Sequence, residues 1–166
     1  MKKILTVVSC LLVTSCAMTD QELKQAYAEQ YYQSPSYIAG YKERFDKLSV
    51  NEIAELGAKM DKGRMNGQSP MKVSDYLYIH DVRAQGNKVI YDYALTDEWL
   101  KLSPSKKEKY QQTMQKDLAY RTCSLKTVAL AQEKGLEEVH QYYDNYPNHI
   151  LFTLNANAEV CKQNGF

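Results

Sequence analysis

No apolar run in this chain of 166 residues approaches the ~20 positions that a membrane-spanning helix requires. Charge of one sign is not in excess either: 21 Lys+Arg face 20 Asp+Glu. That balance leaves no polybasic footprint, which argues against nucleic acid as a partner. Glycine and proline are sparse, at 7 and 4 residues, and form no low-complexity block or linker. Cysteine is rare, with four residues and no C-x-x-C spacing of the kind that binds zinc or runs dithiol chemistry. The three histidines, His80, His140 and His149, show no H-E-x-x-H spacing, and neither a G-x-S-x-G elbow nor a P-loop occurs. His80 and Asp81 are adjacent in an expected strand, so their side chains point to opposite faces and form no relay. The acidic pairs Asp97-Glu98 and Glu137-Glu138 read as solvated surface. The expectation is a protein that is not an enzyme and has no cofactor and no metal site.

With 44% apolar and 25% charged residues, what is present suits one globular domain of ordinary size. The N-terminus carries the most specific signal. Lys2 and Lys3 precede an uncharged stretch from Ile4 to Met18, the layout of a secretory signal peptide. Within it, Val13-Thr14-Ser15-Cys16 resembles the lipobox of bacterial lipoproteins. The resemblance implies cleavage before Cys16, acylation of its thiol and anchoring by lipid. Val7-Val8-Ser9-Cys10 fits the same pattern, but it leaves an apolar stretch short of the ~7–15 residues of an h-region, so Cys16 is the favoured site. Ala17 follows it; by the same resemblance, and in a Gram-negative host, a residue other than Asp there directs the protein to the outer membrane, on the inner leaflet facing the periplasm. Cleavage removes two of the 21 basic residues and none of the 20 acidic ones, so lipid rather than a charged patch would hold the domain to the membrane. The expected organisation is residues 1–15 as signal peptide, 16–35 as lipidated tether and 36–166 as one domain.

Cys123 and Cys161 remain. An even pair in an oxidising compartment points to a disulfide. Its long loop predicts about 3–4 kcal/mol of stabilisation on the chain-entropy model.

Leu23, Tyr27 and Tyr31 recur every fourth residue and predict a weakly amphipathic helix in the tether. Ser34-Pro35 starts a second helix with the apolar stripe Tyr37, Tyr41, Phe45 and Leu48. Ser49 and Glu52 form a capping box for a third, carrying Ile53, Leu56 and Met60. The period then changes. Residues 73–83 and 88–95 flank Gly86-Asn87 and predict a hairpin, with Val89, Tyr91, Tyr93 and Leu95 on one face. Ser103-Pro104 opens a helix expected to reach Cys123. Ser124 is expected to cap a continuation that stops at Gly135. Residues 136–143 and 149–156 predict a second hairpin, with Ile150, Phe152 and Leu154 facing the core. The fold class is therefore α+β: N-terminal helices, then hairpin, helix and hairpin, forming a four-stranded antiparallel sheet with helices packed on one face.

Tyrosine is abundant, with 14 residues against three Phe and one Trp. Tyrosine is amphipathic and enriched in recognition surfaces. Tyr142, Tyr143 and Tyr146, with His149 beside them, crowd the second hairpin and form the candidate binding surface. The leading expectation is a small lipid-anchored factor that binds an envelope protein in an assembly or inhibitory role. The alternatives are a peptidoglycan- or small-ligand-binding module and, last, an enzyme built where two or more of the histidines converge with acids.

Overall fold

The computed structural model describes residues 18–30 and 33–166. The expected signal peptide, the cysteines of both lipobox-like stretches, Cys10 and Cys16, and Tyr31 of the expected tether stripe lie outside the described residues. The chain forms α1 (Asp20–Gln30), α2 (Pro35–Asp46), α3 (Val50–Arg64), β1 (Met71–Lys72), β2 (Leu77–Gln85), β3 (Lys88–Leu95), α4 (Asp97–Leu100), α5 (Pro104–Cys123), α6 (Lys126–Glu133), β4 (Glu137–Asn145), β5 (His149–Ala156) and α7 (Ala158–Gln163).

Local signals account for most element starts. The Ser34 hydroxyl accepts the Tyr37 N–H at 3.3 Å, and Pro35 follows as the first helical residue of α2. At α3 the capping box is complete: Ser49 Oγ accepts from Glu52 N at 3.3 Å, while Glu52 Oε2 accepts from Ser49 N at 2.8 Å. Together these contacts satisfy two of the N–H groups that a helix start leaves open. Gly135 stands at φ 94°, a backbone state that residues with a Cβ avoid, and it ends α6. Two expected caps differ. Ser103 makes no capping bond to α5. Leu125, not Ser124, is the N-cap of α6; the Ser124 hydroxyl instead donates to Lys24 O at 3.2 Å and so holds α1.

The sheet has five strands in the order β1-β2-β3-β4-β5. This corrects the expectation of four antiparallel strands. Both hairpins, β2–β3 and β4–β5, are antiparallel as expected, but β3 and β4 pair in parallel and join them. The cause is the crossover. Helix α5 has 20 residues, a span of about 30 Å, enough to carry the chain back along the whole of β3 before β4 begins. The fifth strand, β1, is a two-residue edge paired with β2.

One sheet face packs on helices. Ala54 and Ala58 of α3 meet Ile79, Val82 and Val89. Beyond the far end of β3, Leu95, Trp99 and Tyr142 form a second cluster with Met114 of α5 and Phe152 and Leu154 of β5. The alternation of Val89, Tyr91, Tyr93 and Leu95 reads as predicted. On the opposite face Arg83 Nε meets the buried Asp92 at 3.0 Å, and the Tyr143 hydroxyl donates to Gln141 Oε1 at 3.0 Å. Ile150 does not join the core. Tyr142 pairs with Phe152 but Tyr143 with Ile150, so Leu151 is an extra residue, and the bulge leaves Ile150 and Leu151 each 41% exposed.

Cys123 and Cys161 are bonded, with Cα atoms 5.4 Å apart. The bridge ties the end of α5 to α7. Helix α1 buries no residue and is held by polar contacts: Tyr120 donates to Asp20 Oδ2 at 2.9 Å, and Lys24 Nζ donates to Asn164 O.

Candidate functional site

Helix α2 packs against α6 rather than on the sheet. Phe45, Ile53 and Ala131 form the contact, with Tyr41, Leu48 and Leu136 around them. Because α2 and α6 lean on each other, a groove of about 310 Å³ stays open between them, α3 and the start of the sheet. That volume sits at the low end of the ~300–1,000 Å³ typical of ligand sites. Its walls are apolar and aromatic. Tyr37, Tyr41 and Phe45 come from α2, Leu56 and Met60 from α3, and Val128 from the α6 side. The rings of α2 follow one another along the helix, with Tyr37 tilted against Tyr41 at 4.9 Å and Tyr41 edge-on to Phe45 at 5.5 Å. Met60 and Tyr37 are 41% and 39% exposed. These outward-facing side chains make the rim of the cavity a candidate contact surface.

The floor of the groove is polar. Tyr91 donates its hydroxyl to Asp61, which also accepts from Arg64 at 2.7 Å. Glu138 accepts from Thr122 Oγ1 at 3.0 Å and meets His140 Nε2 at 2.8 Å. Arg121 reaches Glu138 through Nη2 at 3.5 Å, while its buried Nε makes no hydrogen bond among the described residues. Burial pushes the Glu138 carboxyl up, but the His140 hydrogen bond and charge, then Arg121 and Thr122, outweigh it and hold it below the usual carboxylate range. Tyr91 is pushed well above its ordinary value by burial first, then by Glu138 and Asp61. Burial likewise raises Tyr93 and Tyr142.

A phenol whose folded pKa exceeds its unfolded one stabilises the fold fully below the unfolded value and loses that contribution as pH rises past it. We therefore expect stability to decline above pH 10, the ordinary tyrosine value. Tyrosinate absorbance should rise in two phases: exposed rings first, then Tyr91, Tyr93 and Tyr142 together with loss of near-ultraviolet circular dichroism. A single phase complete while the fold persists would contradict this.

Of the four candidate residues on the tyrosine-rich hairpin, Tyr142 and Tyr143 are buried, whereas Tyr146 and His149 are not. Tyr142 and Tyr143 are 4% and 7% exposed. Tyr142 stacks on Phe152 at 4.5 Å and on Tyr93 at 5.1 Å, and Tyr143 lies on the other face over Asp92 and Gln141. Adjacent strand residues point to opposite faces, and here each face buries its ring. Tyr146 is half-buried and stacks on His80 at 4.1 Å, while His149 is exposed with Nδ1 2.7 Å from Asp144. The histidines thus have separate partners: Tyr146 for His80, Glu138 for His140 and Asp144 for His149. Among the described residues no group of three or more His, Cys, Asp or Glu could hold a metal ion, and no helix is long and apolar enough to cross a membrane.

The groove itself was half-visible in the sequence. Tyr37, Tyr41 and Phe45 form an apolar stripe at helical spacing, which by itself does not say whether the stripe meets core or lines a groove. The sequence signal for its floor is Arg121, the one charge in the run from Leu118 to Leu125.

No family model matches the chain, and no curated protein matches it in sequence. Among solved structures, a Pseudomonas aeruginosa protein described as secreted shares the fold at 11% identity, with a TM-score of 0.51, over 68% of this chain and 96% of that one. The type 2 secretion system pilotin EpsS of Vibrio vulnificus aligns more loosely, at 16% identity and a TM-score of 0.47, over 68% of this chain and 94% of its own. The type II secretion pilotin AspS of Vibrio cholerae aligns at 17% identity and 0.44, over 68% and 95%.

Proposed function

We propose that this chain is a lipid-anchored, periplasm-facing bacterial lipoprotein that acts without catalysis, binding another protein of the cell envelope in its groove. The anchor rests on the lipobox-like Val13-Thr14-Ser15-Cys16. The binding site rests on one observation: the cavity between α2, α3 and α6, walled by partly exposed Tyr37 and Met60. A partner would insert apolar side chains there and so remove this surface from water, at about 25 cal/mol per Å². The site is read from α2 and α3, not from the β4–β5 hairpin.

The aromatic lining and modest volume of the cavity also favour a second reading, a small-ligand module. Pull-down from crosslinked envelopes separates the two. Full-length protein is compared with Cys16→Ser, which removes the anchor, and with Met60→Asp, which places a charge on the groove wall at an exposed position. The wild type is expected to recover one stoichiometric protein, and Met60→Asp to recover about tenfold less or below while still carrying lipid. Equal recovery by Met60→Asp would overturn the groove as the site. Recovery of no protein by the wild type would transfer the groove to a small ligand.

A further inference from the structure

The polar groups of the groove are unevenly satisfied, and the imbalance points to the chemistry of what enters. Both carboxylates on the lining are already served: Asp61 by Tyr91 and Arg64, Glu138 by Thr122 and His140. Gln33, at the mouth, is fully engaged, donating to Ala28 O at 2.9 Å and Ser124 O at 3.2 Å and accepting from Lys126 N. Arg121 is the exception. A guanidinium has five N–H donors. This one makes a single contact at 3.5 Å, beyond the usual 2.7–3.2 Å range, and its buried Nε makes none among the described residues. Nε is closed to solvent and so to a ligand, but the side chain as a whole is 37% exposed, and its terminal Nη groups, held by that one long contact, can bond an incoming acceptor. A carboxylate suits them best, because a guanidinium and a carboxylate match in a two-pronged geometry.

We infer that the groove selects an amphipathic segment of the envelope partner that carries one acidic side chain among apolar ones, its carboxylate paired with Arg121 and its apolar side chains lying against Tyr41, Leu56 and Met60. This rests on the groove reading above. It adds the sign of the charge: an acidic apolar segment is accepted, and a basic one is refused. A basic segment would bring a second cation against Arg121 and offer its Nη groups no acceptor.

The test uses the full-length lipidated chain in nanodiscs, with empty nanodiscs subtracted, and three soluble probes with one apolar body: 4-phenylbutyrate, 4-phenyl-1-butanol and 4-phenylbutylamine. Affinities are read by ligand-observed nuclear magnetic resonance. The carboxylate is expected to bind about tenfold more tightly than the alcohol, and the amine more weakly than both. Arg121→Gln should abolish the advantage of the carboxylate while leaving the alcohol unchanged. Arg121→Lys, which keeps the charge but loses the fork, should retain only part of it. Near-ultraviolet circular dichroism checks that each variant is folded. If carboxylate and alcohol bind alike, and Met60→Asp weakens both, the Arg121 inference is overturned and the groove stands. If Met60→Asp leaves all three probes unaffected, the groove reading falls and this inference with it.

Discussion

Replacing Cys123 and Cys161 together by alanine is expected to lower the melting temperature by about 10 °C. The bridge spans 38 residues; closing a loop of that length removes enough unfolded-state entropy for about 4 kcal/mol of stability. In a domain of this size each kcal/mol is worth about 2–4 °C. The loss should also be uneven. Helix α7 has six residues, too few to hold helical form without tertiary contacts, and the disulfide pins it to α5. Helix α1 depends on the same corner, since Lys24 donates to Asn164 O and lies 4.4 Å from the Phe166 ring centroid. Amide exchange in residues 20–30 and 158–166 should therefore rise more than exchange in β3 and β4. Thermal melts of the variant, beside the wild type with and without reductant, check the size. Exchange mass spectrometry checks the place. An unchanged melting temperature under oxidising conditions would refute the account.

Trp99→Ala is expected to cost a similar amount, about 4 kcal/mol, the usual figure for emptying a large aromatic site. Trp99 is fully buried at 0% exposure. It sits 5.9 Å from Phe152, 5.9 Å from Tyr110 and 6.1 Å from Tyr76, and so joins β5, α5 and the entry to β2 in one cluster. A second variant separates packing from polarity. The indole Nε1 is buried without a hydrogen-bond partner among the described residues, so Trp99→Phe deletes an unsatisfied donor as well as volume. It should cost less than half as much as the alanine change. Urea denaturation followed by far-ultraviolet circular dichroism measures both. Equal losses for Phe and Ala would show that ring volume is not what holds this cluster.

The groove and the hairpin show how differently two parts of one sequence can be read. Ser34-Pro35, the Ser49–Glu52 box, Gly86-Asn87 and Gly135 each act within a few residues of themselves, so the elements they start, turn or stop were legible in order. So was the alternation along β3, since side-chain direction in a strand repeats every second residue. The burial of Tyr142 and Tyr143 follows from the same rule. Composition says that Tyr142 and Tyr143 are adjacent rings, but only the sheet's two faces say that each has something to pack against.

By itself, then, the sequence determined the α+β class, the position of most helices, both hairpins, a pair of cysteines able to bridge, and the lipobox-like start on which the envelope reading depends. Tertiary structure alone decided that β3 and β4 run parallel, because that follows from the reach of α5 across the sheet. It alone decided that Ile150 turns outward at a bulge. It also decided that α2 leans on α6 and leaves a cavity with Arg121 on its floor. Capping, turns and alternation are contacts between near neighbours, written in adjacent letters. A groove is made by residues as far apart as Tyr37, Tyr91 and Arg121, and it exists only once long-range packing has brought their three elements together.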